Sequence, residues 1–174
     1  GMDVELVTGP THLQTTHPRI RVTRVSTAQQ MFEAAAKVFP QAAVTVLAAA
    51  VADYRPAEVA VQKIKKKDDD LTIRLVKNVD IAATLGQQKQ PHQTMVGFAL
   101  ETENETANAQ EKLKRKNLDL IVLNSLNDKG AGFGHDTNKI SVIGRDGAVR
   151  HFDLKSKTEA AEDIVALIVE RLES

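Results

Sequence analysis

The chain has 174 residues, 42% hydrophobic and 26% charged, and its 23 Lys+Arg balance its 23 Asp+Glu. This composition fits one core-forming domain and excludes a disordered polyelectrolyte or an overtly basic nucleic-acid binder. The absence of cysteine removes disulfides, thiolate metal sites and cysteine nucleophiles, and 3% aromatics with no Trp argue against a stacking platform for single strands. No apolar run reaches the roughly 18 to 20 residues of a membrane span, and Gly1-Met2-Asp3 lacks the basic and apolar regions of a secretory signal. A cytoplasmic α/β domain is expected, with neither membrane nor nucleic acid as partner.

Short apolar runs at 4–7, 44–50, 95–100 and 118–123 are rich in branched residues and too short for helices, which predicts buried strands. Several are apolar on successive positions, the pattern of a parallel sheet covered on both faces. The segments 20–25 and 71–75 alternate and predict half-exposed strands. Ser26 with Gln29, Thr102 with Glu105, and Ser156 with Glu159 have the spacing of capping boxes, each predicting a helix start. The last helix repeats Ala161, Ile164, Val165, Ile168 and Leu172 along one stripe that predicts docking on a sheet. Apolar segments 140–143 and 149–152 flank Asp146-Gly147 and predict a β-hairpin. Strand and helix in alternation predict an α/β fold, a Rossmann-like doubly wound and mostly parallel sheet with the hairpin added.

In such sheets the ligand crevice lies beyond the carboxyl ends of the strands. Ala48, Ala49, Ala50 and Gly97 are small enough there to let a ligand approach the backbone. Asp53 follows one strand as a single carboxylate, and helix capping is its commoner use. Lys63 to Asp70 is a charged run that reads either as a solvated connection or as a segment laying a lysine over a polyphosphate. Ile64 inside it suggests docking. Lys112 and Lys116 share a helix face, a repulsive arrangement that an anion or the helix C-terminus offsets, with Asn117 as the stop. Gly130-Ala131-Gly132-Phe133-Gly134 lacks the Lys-Ser/Thr of a phosphate loop. The five histidines show no metal-ligand spacing.

Ala48-Ala49-Ala50-Val51-Ala52-Asp53-Tyr54, Lys63-Ile64-Lys65-Lys66 and Val76-Lys77-Asn78-Val79-Asp80-Ile81 occur in that order. Val96-Gly97-Phe98-Ala99-Leu100-Glu101-Thr102, Lys112, Lys116-Asn117-Leu118-Asp119 and Asn124 follow. This ordered set resembles the phosphopantothenate–cysteine ligase domain of coenzyme A biosynthesis. The resemblance implies that 4'-phosphopantothenate and cysteine are joined with CTP, through an acyl-cytidylate and with Mg²⁺ present. It implies a nucleotide pocket of Ala48, Ala49, Ala50, Asp53, Val79, Asp80, Ile81, Ala82 and Phe98. Lys63, Lys112 and Lys116 match the lysines on the phosphate side, Lys63 in the catalytic role, and Asn124 matches the substrate side. It further implies a homodimer and a flavin-dependent decarboxylase fused upstream.

Val79 stands where the family more often has proline. The family's first strand and glycine-rich loop are not matched, so residues 1–174 are expected to form a single CTP-binding ligase domain lacking that unit, weakly active or inactive. Two alternatives stay open: a catalytically silent nucleotide-binding fragment, and a dinucleotide-dependent oxidoreductase. Against the second stands the lack of Gly-x-Gly-x-x-Gly after a strand.

Overall fold

The computed structural model describes residues 1–64, 71–101, 103–125 and 136–173. In chain order the elements are β1 (Val4–Thr8), β2 (Ile20–Arg24), α1 (Ala28–Val38), β3 (Val44–Leu47), β4 (Tyr54–Pro56), β5 (Leu75–Lys77), α2 (Ile81–Gln88) and β6 (Thr94–Glu101). They continue with α3 (Glu105–Arg115), β7 (Leu120–Ser125), β8 (Thr137–Asn138), β9 (Ile140–Gly144), β10 (Val149–His151), β11 (Lys155–Ser156) and α4 (Lys157–Glu173). The chain groups into two compact units, one of residues 1–38 and 49–81, the other of residues 39–48 and 82–174.

The larger unit carries a five-stranded sheet in the order β10-β9-β7-β6-β3. β3, β6 and β7 run parallel, while β9 is antiparallel to β7 and to β10. This is the predicted mostly parallel sheet with its hairpin, and Gly147 takes the turn at φ +84°. Both faces of the central strands are buried, as their unbroken apolar runs require. Val96, Val122, Ile140 and Val142 form one face, packed with Ala160, Ile164 and Ile168 of α4. The alternate residues Met95, Ala99, Ile121, Leu123 and Ile143 are buried as well, and α3 runs against β6 and β7 with Ala109 and Leu113 buried. Burying Ile164 and Ile168 contributes about 1.5–3 kcal/mol each. The predicted stripe was partly misplaced: Val165 and Leu172 are exposed, and Ala160 takes the position assigned to Ala161.

Helix ends show where local chemistry is degenerate. Ser156 Oγ and Glu159 form the predicted capping box, with the Glu159 N–H donating to Ser156 Oγ at 3.2 Å and the Ser156 N–H donating to Glu159 Oε2 at 2.9 Å. At α1 the box slips by one residue. The Gln30 N–H donates to Thr27 Oγ1 at 3.1 Å, and Gln30 Oε1 accepts from the N–H groups of Ser26 and Thr27. Ser26/Gln29 and Thr27/Gln30 have identical spacing, and Gln29 instead donates to Glu33. Thr102 lies outside the described residues. The cap of α3 is Asn104, in the left-handed region at φ +46° and without a side-chain cap bond. α3 stops as Asn117 predicts: Asn117 adopts φ +53°, its N–H bonds Lys114 O, and the Leu118 N–H bonds Leu113 O.

In the smaller unit β1 and β2 form a two-stranded parallel sheet, and β4 and β5 an antiparallel ribbon. Val4 and Leu6, predicted buried, are exposed together with Val22, because two strands with α1 against β1 leave apolar surface uncovered. The predicted strand at 71–75 is mostly absent: pairing starts only at Leu75, and Leu71 and Ile73 are exposed.

Candidate functional site

In the smaller unit one asparagine gathers the predicted residues. Asn78 follows β5, and its N–H donates to Asp53 O at 2.8 Å while its Nδ2 donates to Ala52 O at 2.8 Å. Arg55 on β4 donates to Asn78 Oδ1 at 3.1 Å and to Lys77 O at 2.9 Å. Three backbone and side-chain groups of one residue are thereby used to clasp residues 52–55, at the start of β4, to the end of β5. Asp53 and the neighbours Val79 and Asp80, far apart in sequence, are brought to the same end of the ribbon, and all three residues are exposed.

Ala49 and Ala50 precede this turn and are exposed. Lys63 is exposed and makes no ion pair among the described residues; Ile64 beside it is 57% exposed, so the docking expected of it is not seen. Lys65 to Asp70 lie outside the described residues. Ile81 opens α2 and is only 8% exposed, so it is taken up by packing rather than open to a ligand. Arg55 and Asn78 have no role in the sequence reading, although Asn78 lies inside a quoted motif. A polar residue between a strand and a helix start was the available signal.

In the larger unit β3 ends at Leu47, three residues earlier than the apolar run predicts, which leaves Ala48 exposed just past the carboxyl end of the strand. Ala82 is half-buried in the first turn of α2. Phe98, on β6, is half-buried against the α4-side core. Gly97 serves packing rather than a ligand: a Cβ there would meet Leu118 Cδ1 at 2.5 Å.

Lys112 and Lys116 lie at the C-terminal end of α3, and the repulsion between them is offset locally. Lys112 Nζ bonds Glu101 Oε1, and Lys112, Lys114 and Arg115 all face the negative end of the helix dipole. Lys116 is half-buried and has polar partners of its own. Its carbonyl packs so closely on α2 that a Cβ on Gly86 would overlap it, while Asn117 Nδ2 donates to Gly86 O at 2.7 Å.

Asn124 sits near the carboxyl end of β7, between Leu100 of β6 and Ile140 of β9. Its Oδ1 accepts from Asn138 Nδ2 at 3.1 Å. Asn138 is a residue that sequence reasoning missed, since only the fold brings β8 beside β7.

Other groupings do not build a site. Ser141 Oγ and His151 Nδ1 lie 2.8 Å apart as a cross-strand pair of the hairpin, with no carboxylate bonded to His151 among the described residues. A hollow of about 180 Å³ lined by Gln110, Leu113, Lys114 and residues 144–147 holds none of the predicted residues and falls short of the roughly 300 Å³ of a ligand pocket. Gly130–Gly134 and His135 lie outside the described residues. Among the described residues no three His, Cys, Asp or Glu side chains gather as metal ligands, and no helix is long and apolar enough to cross a membrane.

A family model for the DNA/pantothenate metabolism flavoprotein C-terminal domain matches residues 1–172. The chain is 47% identical over 169 residues to a cysteine/cysteine sulfinic acid decarboxylase of an unknown prokaryotic organism, covering 97% of this chain and 47% of that protein. It is 41% identical over 171 residues to the coenzyme A biosynthesis bifunctional protein CoaBC of Haemophilus influenzae, covering 98% of this chain and 42% of that one. The chain thus spans less than half the length of these curated relatives. The solved C-terminal domain of a coenzyme A biosynthesis bifunctional protein CoaBC superposes with a TM-score of 0.80 at 37% identity, over 99% of this chain and 78% of that one.

Proposed function

The chain belongs to the DNA/pantothenate metabolism flavoprotein C-terminal domain family, and from that membership we propose that it binds CTP and acts in joining 4'-phosphopantothenate to cysteine. The observation that carries the reading is the Asn78 clasp, which holds Asp53 beside Val79 and Asp80 at one ribbon end. An exposed carboxylate on a fixed turn suits the hydrogen-bond donors of a ribose or cytosine. Lys63, Lys112 and Lys116 supply cations for the phosphates.

In the reaction a carboxylate oxygen of 4'-phosphopantothenate attacks the α-phosphorus of CTP, the bond to the β-phosphate bridge breaks, and pyrophosphate leaves. The amine of cysteine then attacks the acyl carbonyl, loses its proton, and displaces CMP from the acyl-cytidylate. Both steps gather negative charge that lysine ammoniums can stabilise. Mg²⁺ belongs to the same reading as a companion of the substrate triphosphate, since this ion is commonly held by phosphates and few carboxylates. A homodimer belongs to the same reading: β10 is an edge of the five-stranded sheet, and such edges pair readily.

Thermal shift with Mg²⁺ and CTP, ATP or NADH tests the nucleotide, because a ligand that binds only the folded state raises Tm. CTP is expected to raise Tm most. A larger shift with NADH overturns the reading in favour of a dinucleotide enzyme. Sedimentation showing only monomer at tens of micromolar removes the dimer.

A further inference from the structure

We propose that Asn138 is a positioning residue that fixes the side-chain amide of Asn124, so that the carboxyl end of β7 presents N–H donors to an acceptor group of the acyl substrate, a carboxylate, phosphate or amide carbonyl. The inference rests on the ligase reading and names a further residue for the same site.

The argument begins with a donor that has no choice. A backbone N–H can only donate, and that of Lys139 donates to the Asn138 side chain at 3.1 Å. The accepting atom is therefore Oδ1, which leaves Nδ2 as the atom Asn138 turns toward Asn124. The contact at 3.1 Å is then Nδ2 donating to Asn124 Oδ1, and the amide of Asn124 is oriented in turn. One obligatory donor thus sets the polarity of two side chains, and Asn124 is left with both hydrogens of its Nδ2 to offer. No described residue accepts them, although Asn124 is half-buried.

The backbone under each residue is held in place. Asn124 lies on a central strand hydrogen-bonded on both sides. Asn138 pairs with Lys155 across β8 and β11, and the Lys157 N–H at the start of α4 donates to Asp136 O at 3.0 Å. A donor fixed at the carboxyl end of a parallel strand stands where open α/β sheets bind ligands. A surface asparagine in a turn would have neither the oriented partner nor that place.

Calorimetric titration of the chain with CTP, then with 4'-phosphopantothenate in the presence of CTP and Mg²⁺, tests this. Asn138→Asp keeps the acceptor for Lys139 but has no hydrogen to give, so Asn124 must turn its Nδ2 inward and show an oxygen to the substrate. Asn124→Asp keeps the bond from Asn138 and likewise shows only oxygen. Each variant is expected to weaken 4'-phosphopantothenate binding about tenfold or more while CTP affinity and Tm hold, since hydrogen bonds to charged groups are the strong ones. In an Asn124→Ala background Asn138→Asp is expected to cause no further loss, because the two residues act through the same donor. Wild-type affinity in both variants overturns the proposal alone. A common fall in Tm and in both affinities also overturns it, as a structural effect. Wild-type binding of CTP without 4'-phosphopantothenate overturns it and leaves the nucleotide reading standing, whereas failure to bind either ligand removes both.

Discussion

Lys112 Nζ donates to Glu101 Oε1 across 2.6 Å, and Asn108 Nδ2 bonds the other oxygen of the same carboxylate at 3.3 Å. The Glu101 side chain is only 12% exposed, so this pair also secures the carboxyl end of β6 against α3. Lys112 therefore meets any phosphate with its charge already matched, while Lys63 is exposed and unpaired among the described residues.

The two lysines should consequently separate stability from binding. Lys63→Ala is expected to leave apo stability within about 0.5 kcal/mol and to weaken CTP binding. Lys112→Ala is expected to lower both, because it leaves the Glu101 carboxylate, 12% exposed, without its cation. Urea unfolding and CTP titration of the two variants check this, and an apo loss above about 1 kcal/mol in Lys63→Ala would contradict it.

Asp119 is 4% exposed and accepts from Lys89 Nζ at 2.7 Å, the Met95 N–H at 2.8 Å and Arg171 at 3.2 Å. Asp119→Ala strands the Lys89 ammonium, whose side chain is 7% exposed, and is expected to cost about 3–5 kcal/mol. Lys89→Met should cost less, because Asp119 keeps its other two donors. Equal losses in urea midpoint stability would show that the network does not divide in this way.

Gly86→Ala places a methyl group on the carbonyl of Lys116, and backbone cannot rotate aside. A loss of about 1–3 kcal/mol is expected, together with weaker CTP binding if Lys116 is displaced. Gly97→Ala meets a leucine side chain instead and should be the milder of the two. The reverse order in thermal melts would locate the tight contact elsewhere.

The Ser156 hydroxyl and then its N–H hold the Glu159 carboxyl below its ordinary pKa. A carboxyl lowered in the folded state adds stability above its unfolded pKa and loses it as pH falls through the folded one. Wild type is therefore expected to exceed Glu159→Gln in Tm at pH 7, with the two converging in acid. A Tm difference that stays constant from neutral pH to about pH 3 would rule out the box as its source.

The sheet was legible because its strands are buried on both faces: an unbroken run such as Met95 to Leu100 has few other places to go. The hairpin was legible from Asp146-Gly147, a local signal. Helix caps were legible only to within one or two residues, as Thr27 with Gln30 and Asn104 show. The alternation at 71–75 suggested a strand, yet alternation alone does not supply a partner, and β5 pairs only from Leu75. For the residues assigned to the site, the alliances were not readable. Nothing in the sequence joins Asn78 to Ala52, Asn138 to Asn124, or Lys112 to Glu101, because each bond depends on two elements meeting in space.

The Asn78 clasp also decides where the chain tolerates change in length. The connection 57–74 leaves β4 and returns to β5, and both of its ends are fixed by paired strands and by the bonds of Arg55 and Asn78. Closing a longer loop between fixed ends adds only about 0.6 kcal/mol for each doubling. Insertions there lengthen the chain that carries Lys63 while the clasp keeps the Asp53 backbone tied to Asn78, so the reach of that lysine and the seat of the carboxylate can be altered separately.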